Sequence, residues 1–496
     1  MEQDFQFPLP FFLSVLALAG FAFMAFKNRD RGWGLPMGVV LATTAVWYHG
    51  DALYNDYQEY IYLMGESALE SGWWQVLIFI VSFGLLVSPV HQLINAKLVG
   101  KKSNLMVYFR TRRLEHPAIQ QQIDKLTMAL AVGWLLLMSV ALVRVDFNFV
   151  GLFAPYLERK VDPWMRGRVG GSFDAVISLA GYLHVFLAAG FGVLAAVARN
   201  PKARTVAITI CILTFPFFIF DRTRNTMLAT MLPGILAWIL FRVKGGLVVK
   251  GAVLLGAFML INFWFSFVLA NRNDQSISTA FKNDEAIKAA EETKHEGLSM
   301  FSELGYMNSF FEQGTLEPNW GERYFAELVN PIPRGLWKDK PFVGVDYAIA
   351  RGFGWDKAGG TGAGIAASIA TGMIGQGVVN FGGLFGPMAA ALLMAIWVAV
   401  LARQDLLGSD PARLLLYASG MILTFNMGRD ITLLVLYPFV FGLMLLIARD
   451  LILGRSPEVQ MARPPRRRKV RKGTERDASP KTARGNKPRR RVQWRG

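Results

Sequence analysis

The sequence predicts an all-α polytopic membrane protein, and three observations carry that prediction. Hydrophobic residues make up 53% of the 496-residue chain and charged residues only 18%, against about 25% charged in an ordinary soluble domain. Apolar runs of about 20 residues, long enough to cross a ~30 Å hydrocarbon core, recur along the chain, and mean hydropathy is +0.32. The formal charge of +17 is concentrated at one end, because 17 Lys/Arg against 4 Asp/Glu after residue 448 place +13 in the last segment.

The runs fall at 8–26, 34–50, 73–95, 126–143, 172–198, 205–220, 226–241, 248–270, 383–402, 412–426 and 431–448, about eleven predicted spans. The first is read as a span and not a cleaved signal peptide, since Glu2 and Asp4 precede it and no basic segment does. Lys27, Arg29 and Arg31, then Lys97, Lys101, Lys102, Arg110, Arg112 and Arg113, fall on one side. Arg199, Lys202, Arg204, Arg242, Lys244 and Lys250 join them, which makes that side cytoplasmic by the positive-inside rule. The acidic loop Asp51, Asp56, Glu59, Glu66 and Glu70 then faces outward, as does the polar insert 271–382.

The predicted layout is therefore a bundle over 1–270, an outer domain over 271–382, a second bundle over 383–448 and a basic disordered tail over 449–496. The tail must be cytoplasmic, which requires that 364–379 not cross the membrane. That stretch is rich in Gly, Ala, Ser and Thr, so its insertion into lipid would be weakly driven. It is expected to be a helix packed within the outer domain or partly re-entrant. The N-terminus is then outside and the C-terminus inside.

Within the insert, 284–296 is polar on every face and predicts a solvated helix, whereas 297–313 predicts an amphipathic one. At 100° per residue Glu303 falls beside Met307 and Phe310, and Glu312 falls half a turn away beside Asn308 and Ser309. The two carboxylates therefore cannot serve one site. Pro331 and Pro333 forbid a helix further on and favour an extended ribbon. That ribbon carries Arg334, Trp337, Lys338 and Lys340, cations around an indole that suit an anionic, sugar-bearing ligand. Trp320 and Trp355 add two flat faces for sugar. The plainer alternative is a proline-rich surface loop with solvated charges.

Other cations gather at predicted outward ends. Asp221-Arg222-Thr223-Arg224-Asn225 forms an outer turn before a span, and Arg429-Asp430 repeats the arrangement. A helix N-terminus beside arginine attracts anions. Arg159, Lys160, Arg166 and Arg168 lie in a further outward loop. Against this stands neutralisation by Asp221, Asp430 and Asp162, or snorkelling to headgroups. His184 and His91 lie within spans and are read as packing hydrogen-bonders. Cys211 is the single cysteine, which excludes an internal disulfide, and no metal or cofactor motif is evident. The glycine run 359–364 lacks the Lys-Ser/Thr of a nucleotide loop.

Pro333-Arg334-x-x-Trp337-x-x-Lys340-Pro341 resembles a motif of the bacterial oligosaccharide repeat-unit polymerases, the Wzy-type O-antigen polymerases. Asn380-Phe-Gly-Gly-Leu-Phe-Gly386 is similar to the segment that opens a span after their large outer loop. The outer turn at Arg222 departs from their pattern of small residues before the arginine and glycine after it. Arg159/Gly170 and Arg351/Gly362 fit a second spacing seen in some members.

The resemblance implies a GT-C-like fold and transfer of a growing glycan from undecaprenyl diphosphate to a sugar hydroxyl on another lipid-linked repeat unit. It implies Arg222, Arg224 and Arg334 at the diphosphate, with Lys338, Lys340, Arg351 and Arg429 next. Glu303 is the candidate base, since apolar neighbours would raise its pKa; Asp346 and His295 are weaker candidates. Partners would be the lipid-linked oligosaccharide as donor and acceptor, membrane lipids, and a chain-length regulator and flippase of the same pathway. Two other readings stay open, an O-antigen ligase and a lipid-linked-sugar transporter, although the spans lack the mid-membrane charges and repeated halves common in transporters. The basic tail reads as an orientation signal and not as a nucleic-acid site.

Overall fold

A computed structural model describes residues 7–111, 113–157, 161–164, 174–220, 224–270, 299–329, 332, 336–337, 339–341, 344–355, 364–365, 369–408, 410–429 and 433–452. These residues lie in one contact unit, Met1–Glu458. The described chain is helical apart from a two-residue antiparallel pairing of Gly354–Trp355 with Gly364–Ile365.

The bundle helices are α1 (Leu9–Lys27), α2 (Gly34–Thr44), α3 (Glu66–Ile94), α4 (Pro117–Arg144), α5 (Asp174–Val197), α6 (Pro201–Ile219), α7 (Arg224–Phe241) and α8 (Leu247–Ala270). The insert supplies α9 (Met300–Glu312), α10 (Glu322–Val329) and α11 (Val345–Ala350). The chain then returns through α12 (Gly372–Leu407), α13 (Pro411–Met427) and α14 (Leu433–Ile452). Each of the eleven apolar stretches overlaps one of these helices. Among the described residues six helices are long and apolar enough to cross a membrane, including α1, α3, α4, α6 and α12, and shorter apolar helices lie at Thr226–Phe241 and Val248–Ile261. That pattern is compatible with a multi-pass membrane protein.

Proline opens several of these helices and an adjacent side chain caps them. Pro117 follows His116, Pro201 follows Asn200 and Pro411 follows Asp410, each of the three preceding side chains accepting from a first-turn N–H. A proline at the first helical position loses only a donor that would lack a partner anyway. α2 runs on through a π-helical turn, Ala45–His49, to Gly50–Tyr54, so one rod reaches from Gly34 to Tyr54.

The two ends of the bundle differ in character. At one end Ser103 donates its backbone N–H to the Asp30 carbonyl, Asn104 donates to the Asp405 carbonyl and Arg403 to the Ile94 carbonyl. Arg413 pairs with Asp450 and Arg449 with Asp410 at that same end. The opposite end carries Asp51, the helix Tyr57–Met64, the start of α3 and the described part of the insert.

α12 is two arms and not one rod. Gly382 has φ +75° and ψ −179°, a conformation open essentially to glycine alone. The arms 372–381 and 383–407 fold against each other there, so closely that a Cβ on Gly377 would lie 2.1 Å from the Gly386 carbonyl oxygen. A helix is present in the region read as re-entrant, but it begins at Gly372 and not at residue 364. Gly364–Ile365 is instead in the short β-pairing, where the glycine-rich segment before it has little helical drive. The predicted helix over 284–296 lies outside the described residues.

Candidate active site at the carboxylate end

α9 organises this end of the molecule, and its N-terminus is capped from another segment. Ser299 makes no side-chain cap. Asp51 instead accepts the backbone N–H of Phe301 at 2.7 Å and of Ser302 at 3.0 Å on Oδ2. Tyr60 Oη donates to Oδ1 at 2.9 Å and Asn55 Nδ2 donates to it at 2.5 Å. A carboxylate at two orphan helix donors also meets the positive end of the dipole. Burial outweighs those four hydrogen bonds and pushes the Asp51 carboxyl up to about 6.

One flank of α9 is fastened to α3. Gln75 Nε2 donates to Asn308 Oδ1 at 2.7 Å, and Asn308 Nδ2 donates to the Ala68 carbonyl at 3.0 Å. Ser67 donates to Glu312 at 3.0 Å, so Glu312 faces α3 while Glu303 faces away from it. The two carboxylates occupy separate sites.

Glu303 is buried, 8% exposed, and both of its oxygens are engaged. The Tyr347 hydroxyl donates to Oε2. Arg351 Nη2 donates to Oε1 at 3.1 Å, and its guanidinium lies 3.9 Å from the Tyr306 ring centroid. Both partners come from α11 or its C-cap, 44 and 48 residues further along the chain. Burial first, and then the Glu303 charge, push the Tyr347 phenol well above its ordinary range. Burial would lower the Arg351 pKa, but the Glu303 carboxylate outweighs it and holds the guanidinium above its usual value. Met307, Leu316, Tyr347 and Val379, with Phe310, form the apolar floor. Glu303 thus has two side-chain partners, not the purely apolar setting that its helix neighbours predict.

A second charged group lies beside the first. Arg323, 4% exposed, stands 3.5 Å by Nε from Glu327 Oε1, and Gln376 Nε2 also donates to that oxygen. Burial raises the Glu327 carboxyl, and Arg323 and Gln376 pull against that shift. Arg323 Nη1 has no hydrogen-bond partner among the described residues, and Nε has only its 3.5 Å approach to Glu327. A Cβ added to Gly344 would lie 3.5 Å from the Arg323 guanidinium carbon. Gly344, at φ +70°, starts α11, the helix that carries Tyr347. Buried arginine N–H groups without acceptors are costly, and an incoming oxyanion would satisfy them.

The 372–381 arm closes the group. Asn380 Nδ2 donates to the Gln376 carbonyl at 2.6 Å, and Asn380 Oδ1 accepts the Tyr324 N–H at 3.2 Å. Gly372 N–H donates to the Arg429 carbonyl at 2.7 Å. The Asn380–Gly386 motif is therefore a hairpin device: an asparagine ties the arm to α10, Gly382 turns it, and Gly386 permits contact with Gly377.

The remaining predicted residues divide as follows. Arg222, Arg334 and Lys338, with His295, lie outside the described residues, as do the side chains of Arg224 and Trp355. Lys340 is buried, and its Nζ donates to the Ile332 carbonyl at 2.9 Å. It faces no open surface. Trp337 packs edge-on to Phe325 at 6.2 Å between centroids. Trp320 is 74% exposed at φ +51°. Asp346 is exposed on α11, and Arg429 sits where α13 meets the start of α12. His184 accepts from Trp164 Nε1 at 3.3 Å and packs on Phe217 and Phe218; His91 meets Asn95 Nδ2 at 3.2 Å. Both have packing roles. Among the described residues no group of His, Cys, Asp or Glu is placed to hold a metal.

No protein-family model, curated protein or solved structure matches the chain. The residues that sequence reasoning overlooked here are Arg323, Tyr347, Tyr306 and Asp51. Tyr347, Tyr306 and Asp51 act through partners distant in sequence, whereas Arg323 pairs with Glu327 one turn further along its own helix.

Proposed function

We propose that this chain is a polyprenyl-diphosphate-dependent glycosyltransferase that joins lipid-linked oligosaccharide repeat units at the outer face of the bacterial cytoplasmic membrane. In this reading the chain crosses the membrane eleven times in a GT-C-like arrangement. The end that carries α9 faces outward, and the C-terminal tail is cytoplasmic.

The observation that carries the proposal is Glu303 held between Arg351 and Tyr347, with the partnerless Nη1 of Arg323 nearby. The reaction needs positive charge where a diphosphate departs and an acceptor for one hydroxyl proton. Arg351 can serve both needs by exchange. A donor diphosphate draws the guanidinium from Glu303, and Glu303 Oε1 is released to take the acceptor proton. The acceptor oxygen then forms a bond to the anomeric carbon as the bond from that carbon to the diphosphate oxygen breaks. The bonding pair leaves on the diphosphate, where Arg323 and Arg351 meet it. Arg222, Arg224 and Arg334 remain proposed contacts further along the lipid diphosphate, and Lys340 is assigned to holding the ribbon.

The test is incubation of purified protein with an undecaprenyl-diphosphate oligosaccharide, the products being separated on a gel. A ladder of repeat units is expected, lost in Glu303→Gln and Arg351→Gln. A single product on lipid A-core would make the enzyme a ligase instead, and unchanged donor would refute glycosyl transfer.

A further inference from the structure

The end of the bundle opposite Glu303 contains an apolar cavity of about 90 Å³. Its walls come from the ends of four helices and the segment before α4, including Leu114, Ile123, Val197, Phe241, Leu414 and Ala418. Apart from the Tyr108 phenol the lining side chains are apolar, so the cavity offers little to water and suits a few methylenes of a hydrocarbon chain.

The rim is the reverse. Arg242 directly follows Phe241 and reaches across the end of α5, donating from Nε to the Ala196 carbonyl at 2.7 Å and from Nη2 to the Ala198 carbonyl at 2.6 Å. Arg204 lies 5.7 Å from the Trp238 ring, one turn back along α7, and its Nε is buried without a hydrogen-bond partner. Arg199 meets Glu115 at 2.7 Å, and that pair is about half exposed. Burial, then the charges of Arg204 and Arg199, lower the Arg242 pKa, as expected of guanidiniums crowded without enough anion. Lys202, Lys244 and Lys250 follow in the adjoining segments, and each acidic group near this edge already has a partner: Glu115 pairs with Arg199, Asp124 accepts from Asn200, Asp405 accepts from the Leu105 N–H, and Asp410 pairs with Arg449.

We infer that this cavity and its arginine rim form a binding site for an anionic glycerophospholipid, one acyl chain entering between α4, α5, α7 and α13 and the phosphate meeting Arg199, Arg204 and Arg242. Basic clefts between membrane helices on the cytoplasmic side bind acidic headgroups in this way. The site is separate from the Glu303 group and does not depend on the proposed reaction.

Native mass spectrometry of the whole protein in mild detergent tests it, with phosphatidylglycerol and phosphatidylcholine of identical chains as probes. Phosphatidylglycerol adducts should persist where phosphatidylcholine adducts do not. The triple change Arg199→Gln, Arg204→Gln, Arg242→Gln should weaken phosphatidylglycerol binding by at least about tenfold, while the triple lysine variant keeps it. Ala418→Phe, which fills the cavity, should weaken binding with the rim intact. Equal retention of both lipids by the wild-type protein would overturn the inference, even if no variant folds. Competition by glycerophosphoglycerol as strong as by the intact lipid would overturn the role of the cavity.

Discussion

Arg351 and Glu303 are the residues whose energetics decide the most. Their side chains are 23% and 11% exposed, so neither charge is well solvated. Deleting one strands the other, which in buried pairs costs roughly 3–5 kcal/mol, whereas neutralising both can cost far less. Arg351→Ala should therefore lower unfolding stability in detergent by about 3 kcal/mol, and Arg351→Ala with Glu303→Gln should recover much of that. Transfer activity should not return in the double variant. Recovery of activity along with stability would reduce the pair to a structural role.

Asp51 carries a pH dependence at the same scale. Its folded-state pKa is raised from 3.8 to about 6. For a raised acid, the stabilising contribution is full below the unfolded value and is lost as pH rises through the folded one. Stability should thus increase by roughly 1 kcal/mol as pH falls from 7.5 to 5, measured by thermal unfolding. Asp51→Asn should flatten that slope.

At the scale of elements, α9 was legible and its partners were not. The 3.6-residue period of 297–313 places Glu303 with Met307 and Phe310 and sets Glu312 apart, and that is how α9 lies. Nothing local tells that Tyr347 and Arg351 will reach Glu303, or that Asp51 will cap α9 from 250 residues away. Side-chain pairs of that separation depend on how helices pack, and helical periodicity is silent about packing partners. Lys340 is a related case: a cation among prolines looks solvated in sequence, whereas its Nζ is taken by the Ile332 carbonyl.

The α12 hairpin shows the opposite case. Its small-residue composition argued against a span, and its glycines now have specific tasks. A side chain at Gly386 would meet Gly377 backbone at 2.5 Å, and overpacking against backbone typically costs about 1–3 kcal/mol or more. Gly386→Val should separate the two arms and release Gln376 from Glu327. Limited proteolysis should then cut near residue 382 in the variant and leave the wild-type protein intact. Equal protection would mean that the arms do not depend on this contact.

For the molecule as a whole, the polarity between its ends is what makes a lipid-linked reaction plausible physically. One end collects cations at helix termini and loops, as a cytoplasmic surface does. The other buries a compact group of two carboxylates and two arginines under α9 and α10. A polyprenyl donor could lie along the apolar flank of the bundle while its diphosphate reaches those arginines. This arrangement needs no nucleotide sugar and no metal in the proposed step, because fixed guanidiniums stabilise the departing charge.

The most direct measurement counts released polyprenyl diphosphate against new glycosidic bonds, with radiolabelled lipid-linked repeat units and purified protein in liposomes. One diphosphate should appear for each bond formed, and both should fall together in Glu303→Gln. Lipid-linked oligosaccharide that crosses the bilayer with its diphosphate linkage intact, and no release, would contradict the account.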